Sequence, residues 1–176
     1  MTFARDTEQA LLSAVWLVNS AEPPDTLTSV ADLDAFWSEH GYTGRRDGDE
    51  AELAEVRALR PRLRELLTAD RDTGVQMVND ILERAEATPK LVRHDDLDWH
   101  LHVVDPETPL AERIAVETAM AMIDVIRADE MSRLDVCAQD DCEGVVLDLS
   151  RNRSKIFCGP SCSNRAAVAA YRARRR

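Results

Sequence analysis

Four cysteines, Cys137, Cys142, Cys158 and Cys162, are spaced C-x4-C-x15-C-x3-C, and the chain contains no other cysteine. Two short-spaced thiol pairs joined by a hairpin-sized insert can bring four soft donors to the corners of a tetrahedron, as a structural zinc requires. The alternatives for the same residues are a pair of disulfides or four buried thiols. The opening stretch MTFARDTEQALLSAVWLVNS lacks the basic start, compact apolar centre and cleavage site of a secretion signal. No segment approaches the roughly 18 uninterrupted apolar residues of a membrane span. The expectation is a cytoplasmic protein with no membrane segment, where thiols stay reduced and one structural Zn2+ is favoured over disulfides. Four thiolates would fill every position on that metal and leave none for water or substrate, so it is not expected to be catalytic.

The segments around the cysteines suggest how the donors are positioned. CAQDDCEG reads as a knuckle closed by Gly144. VVLDLS, a turn through Arg151 and Asn152, and SKIF read as a β-hairpin between the two pairs. CGPSC then runs into the helix SNRAAVAAYRARRR, whose positive end would favour a thiolate at Cys162. Knuckle, hairpin and helix in this order make a treble-clef zinc finger.

Charge is distributed unevenly. The whole chain carries a formal net charge of -11 over 176 residues. Residues 133–176 hold nine basic and five acidic residues, a net of +4, against 13 basic and 28 acidic before them, a net of -15. From Arg151 onward there are eight basic residues and no acidic one. Such an asymmetry points to an acidic partner at the basic end, and DNA is the first expectation. Arg165, Arg172 and Arg176 share one face of the last helix, Val168 and Tyr171 are expected to pack on the zinc module, and Arg151, Arg153 and Lys155 come from the hairpin. Part of this charge can instead offset the net -2 of a tetrathiolate zinc, and a basic tail serves an acidic protein partner equally well.

The first 130 residues read as helices plus one hairpin, giving an α+β, mainly helical class. Asp6 through Gln9 resembles a capping box ahead of Leu11, Leu12, Val15 and Val18. Ser29 with Asp32 opens a second helix, and Gly41 sits at its C-cap. A third carries Leu53, Val56, Leu59, Leu63, Leu66 and Leu67, with Pro61 expected to kink or divide it. A fourth starts near Thr73, with Val75, Val78, Ile81, Leu82 and Ala85 inward. Between Lys90 and Val104 the period changes to two, with Trp99, Leu101 and Val103 alternating against His100, His102 and Val104, which predicts a hairpin near 90–104. Thr108 is then expected to cap, and Pro109 to take the first position of, a helix too apolar around its circumference to be a surface helix, so it is expected to be central.

DLSRNRSKIFCGPSCSNRAAVAAYRARR resembles the CGNR zinc finger, a bacterial module whose Cys-Gly-Asn-Arg signature is met here by Cys162, Ser163, Asn164 and Arg165. VWLVNSAEPPDTLTSVADLDAFWSEHG resembles the opening of an ABATE domain, which usually precedes that finger. The resemblance implies an ABATE-like domain over residues 1–132, a CGNR-type finger over 133–176, and a stress-linked transcription regulator that binds DNA. It carries Asn164 and Arg165 over as the functional pair, although the two could equally hold the finger together. Three positions depart from the motif: Ser163 stands for its glycine, Phe157 for a tryptophan and Lys155 for an arginine. None of the three removes a zinc ligand, but Ser163 raises the question of a glycine-only backbone conformation.

Other readings stay open. His100 and His102 fall on one side of the predicted strand and, with His94, Asp95, Asp96 and Asp98, could form a second metal or catalytic site. The same pattern fits the wet face of a hairpin. No phosphate loop, nucleophile elbow or HExxH motif is present, and no enzyme is expected. The finger could dock on a protein instead of DNA. The N-terminal domain could hold a small apolar or amphipathic ligand near Trp16, Phe36, Trp37, Met120 and Met122 and gate the finger, though these residues also suit an ordinary core. Its acidity could let it fold back on the basic end. A homodimer would let two fingers meet two half-sites.

Overall fold

The computed structural model describes residues 3–93 and 99–175. Four helices come first: α1 (Arg5–Asn19), α2 (Val30–His40), α3 (Glu50–Thr68) and α4 (Arg71–Arg84). A hairpin of β1 (Lys90–Val92) and β2 (His100–His102) leads to α5 (Leu110–Arg127). A single 3-10 turn, Met131–Arg133, enters β3 (Leu134–Val136), and β4 (Val145–Leu147) and α6 (Pro160–Arg174) follow.

Helix α5 is central, as its composition predicts: Leu110, Ile114, Val116, Ala119, Met122 and Val125 are all buried, and α1, α3 and α4 pack around it. Local chemistry sets the boundaries. Ser29 and Asp32 form a reciprocal capping box at α2, and Gly41 ends that helix at φ 68°. Asp70 caps α4 by accepting the Thr73 N–H, which starts the helix at Arg71, ahead of Thr73. Pro61 does not divide α3, which runs unbroken through it. At α1 the expected capping box does not form. Ala4 is the cap residue, and the Asp6 carboxylate takes the adjacent Thr7 N–H instead.

The predicted hairpin near 90–104 is present, with Leu91 opposite Leu101 and Val92 opposite His100. Its apolar alternation is split between core and solvent. Val103 is buried and its carbonyl accepts the Thr88 N–H, whereas Trp99 and Leu101 face solvent with Leu91. His94, Asp95, Asp96 and Asp98 lie outside the described residues.

The second hairpin differs from expectation. Val145–Leu147 pairs antiparallel with Leu134–Val136, before the first cysteine, and not with SKIF after it. Asp148 explains the difference: its two carboxylate oxygens accept the Ser150 and Lys155 N–H groups at 2.7 Å each. Arg133 donates to the carbonyls of Asp148 and Ser150 at 2.9 and 3.1 Å. Residues 148–155 are thereby closed into a compact loop, and groups a strand would use for pairing are taken.

This hairpin is shared by two cores. Leu134, Val145 and Leu147 belong to the main core of the helices, while Val146 packs with Cys137 and Cys162 in a smaller one. The alternation of side chains along β4 makes this possible, and all three of its residues are 3% exposed or less.

Candidate metal centre and basic helix

The knuckle lies in the connection between β3 and β4. Cys137 follows β3 directly, and its N–H donates to the Gly144 carbonyl at 2.8 Å, which closes the turn that carries Cys142. Gly144 is needed here for space: a Cβ would stand 2.9 Å from Cys158 Sγ. Cys158 precedes α6 and Cys162 lies in its first turn, with Pro160 at the helix start. This fits proline's fixed φ and missing donor.

All four Sγ atoms lie within 4.8 Å of one another. Cys142 Sγ is 3.6 Å from Cys158 Sγ, which is 3.7 Å from Cys162 Sγ. A tetrahedron with Zn–S bonds of about 2.3 Å has edges of about 3.8 Å, so the donor set fits zinc in both chemistry and size. The four thiols are free of disulfides. Cys137, Cys142, Cys158 and Cys162 form a structural zinc site, and four thiolates would leave no position on the metal for water or substrate.

Polar hydrogens around the sulfurs moderate their charge. The Cys158 N–H points to Cys137 Sγ at 3.4 Å and the Gly144 N–H to Cys142 Sγ at 3.5 Å. Arg165 reaches Cys162 Sγ at 3.5 Å and holds that thiol below its usual range, whereas burial pushes Cys142 and Cys158 up. Such outer contacts orient metal ligands and tune their basicity.

The residues expected at a nucleic-acid surface separate into two groups. Arg165 is tied within the finger, donating to Asp141 at 2.6 Å as well as to Cys162. Arg153 pairs with Glu130 at 2.8 Å and reaches Ser132, and Lys155 Nζ donates to the Leu147 carbonyl. Arg151, Asn164 and Arg172 are exposed, together with Arg174 and Arg175. Arg176 lies outside the described residues.

Helix α6 leaves the body after its first turn. Only Cys162 is buried and Ala166 half-buried, and every other residue from Ser163 to Arg175 is exposed. Val168 and Tyr171, 49% and 52% exposed, therefore do not pack on the zinc module as expected, and Tyr171 lies under the Arg175 guanidinium, 5.3 Å from its ring centre. The acidic domain does not cover this helix, whose residues from Ser163 to Arg175 are exposed apart from Ala166. Ser163 sits within the helix, and its hydroxyl donates to the Pro160 carbonyl, so the position makes no glycine-only demand.

Two residues join the knuckle to the helical domain. The Asn19 side-chain amide donates to the Val145 carbonyl at 2.8 Å and accepts its N–H at 2.6 Å, extending β4 as a strand would. Arg64 donates to the Glu143 carbonyl and, at 2.9 Å, to its carboxylate. Neither link is legible in the sequence, since the partners are 126 and 79 residues apart.

Trp16, Phe36 and Tyr42 form an aromatic cluster with centroid separations of 5.1 and 5.5 Å, and Phe36 and Met122 are fully buried. A shallow depression lined by Gln9, Leu12, Trp16, Glu39 and His40 lies at the edge of this cluster. His100 and His102 stand at alternate positions of β2. Among the described residues, the four cysteines are the one cluster of three or more His, Cys, Asp or Glu side chains that could hold a metal ion, and no helix is long and apolar enough to cross a membrane.

A mainly helical α+β domain bearing a tetracysteine zinc finger is the class of protein that fold and site define. The CGNR zinc finger family model matches residues 133–175, and the ABATE model, described as "Putative stress-induced transcription regulator", matches residues 13–129. The chain belongs to the ABATE family and carries a CGNR zinc finger. The search of curated proteins gave no match.

Proposed function

We propose that the protein is a DNA-binding transcription regulator whose contact surface is the outer side of α6, with the exposed Arg151 of the 148–155 loop as a further phosphate contact. The observation that carries this reading is the exposure of α6: a helix of 15 residues, about 22 Å long, with no acidic side chain, projecting from a metal-held base. Asn164, Arg172, Arg174 and Arg175 are all directed away from the core. Arginine and lysine on such a helix neutralise phosphates, and asparagine is a suitable reader of adenine edges in the major groove. Zinc is structural here: it fixes the orientation in which the helix leaves the body. The family description supports a regulatory role.

Arg165 acts differently in this reading. Its guanidinium spans Cys162 and Asp141, so it holds the finger together and offsets the thiolate charge. Its replacement should lower zinc retention before it changes DNA contact.

The half-exposed Val168 and Tyr171 favour a second reading, in which α6 docks on an acidic protein partner. Equilibrium binding of the zinc-loaded full-length chain to labelled random and genomic duplexes separates the two. Binding to duplex DNA that weakens with added salt supports the first reading. If zinc is retained and no duplex is bound at low salt, DNA is excluded and the protein-docking reading stands. Cytoplasmic residence and the absence of catalysis accompany the proposal, and neither an N-terminal ligand nor a dimer is needed for it.

A further inference from the structure

The two halves of the zinc site are attached to the protein in different ways. Cys137 and Cys142 ride on the connection between β3 and β4, and that hairpin is embedded in the core of the helices. Val145 is fully buried and Leu147 is 3% exposed on the helical side, and Asn19 satisfies both backbone groups of Val145. Arg64 adds a hold at Glu143. None of these contacts involves the metal.

Cys158 and Cys162 belong to the other half. Beyond Phe157 only Cys162 is buried. The polar ties from residues 158–175 to the rest of the described chain are the sulfur contacts and the exposed Arg165–Asp141 ion pair. Exposed ion pairs hold weakly. A helix of this length without packing is marginal in water.

We propose that zinc is a clasp between an anchored half-site and the basic helix. When the metal leaves, α6 is released and loses its fixed direction, while the helical domain keeps the β3–β4 hairpin and the empty knuckle in place. Small zinc modules that are unfolded without metal lose everything at once; this one loses only its outer half. Metal occupancy then governs whether α6 is presented, and the regulatory meaning of that step rests on the DNA-binding proposal above. The mechanical claim does not.

Hydrogen exchange of the full-length protein, read by mass spectrometry with zinc bound and after chelation, tests it without DNA. Peptides covering residues 158–167 should lose at least about tenfold in protection on chelation, and those covering Leu134–Val136 and Val145–Leu147 should change by less than about twofold. Loss in both sets together would show one cooperative unit and overturn the proposal, as would protection of 158–167 that survives metal removal. In the chelated Asn19→Ala protein the hairpin peptides should lose protection as well. If they do not, Asn19 is not the anchor and the assignment fails. A protein that passes these tests and binds no duplex would retain the clasp and lose only its regulatory reading.

Discussion

Replacing Asn19 by alanine removes one side chain and leaves two backbone groups of Val145 without partners. Val145 is fully buried, and the bonds lost measure 2.8 and 2.6 Å. An unpaired buried donor or acceptor costs about 1–3 kcal/mol. Because Asn19 is itself half-buried, water can replace part of each bond, so a combined loss of about 2–4 kcal/mol is expected. At roughly 2–4 °C per kcal/mol for a chain of this size, the thermal midpoint should fall by about 5–15 °C. The assay is thermal unfolding followed by helical circular dichroism, in excess zinc so that the metal site stays loaded in both proteins. A loss below about 0.5 kcal/mol, the size of an ordinary surface substitution, would refute the reasoning. It would mean that packing of Val145 and Leu147 holds the hairpin unaided.

Other substitutions test separate parts of the account. Gly144→Ala places a methyl 2.9 Å from Cys158 Sγ; overpacking of about 1–3 kcal/mol at the ligand should weaken zinc retention about tenfold or more in competition with a chelating dye. Ser29→Ala removes the acceptor for the Asp32 N–H and should cost about 1 kcal/mol in denaturant unfolding. Glu117, half-buried beside Arg113 and Tyr42, has its carboxyl pushed up to about 7 by burial, partly countered by Arg113. A carboxyl raised in the folded state binds more protons there than in the unfolded chain, so its contribution to stability falls as pH rises from about 4.5 to about 7. Glu117→Gln should therefore be more stable than the parent at pH 8, by on the order of 2 kcal/mol, with the difference shrinking towards pH 5. A difference independent of pH would contradict that assignment.

The zinc ligands were legible because their chemistry is local: two thiol pairs at short spacing need little knowledge of the rest of the chain. The same holds for Ser29, Asp32 and Gly41, whose cap geometry involves neighbours only. Strand pairing in the finger was not legible. Val145–Leu147 is apolar enough to pair with either flanking segment, and the choice is made by the buried Asp148 and Arg133, which bond the loop backbone, Arg133 also pairing with Glu130. The fate of the basic residues was hidden for a related reason. A sequence shows that Arg153, Lys155 and Arg165 are cationic, whereas their partners at Glu130, Leu147 and Asp141 are set by the fold. The period-of-two signal over residues 99–104 marks the strand at His100–His102, but periodicity cannot say which face meets the core, and here Trp99 and Leu101 stay in solvent.

The central claim is that α6, held by zinc, meets phosphates with Arg172, Arg174 and Arg175. It is tested most directly by the salt dependence of duplex binding for the zinc-loaded parent and for the triple variant Arg172→Ala, Arg174→Ala, Arg175→Ala. Each phosphate contact contributes about 0.9 to the slope of log K against log salt, so the variant should lose affinity and about 2–3 in slope while keeping its zinc. A variant that retains both zinc and the parental slope would contradict the claim and place any DNA contact elsewhere on the protein.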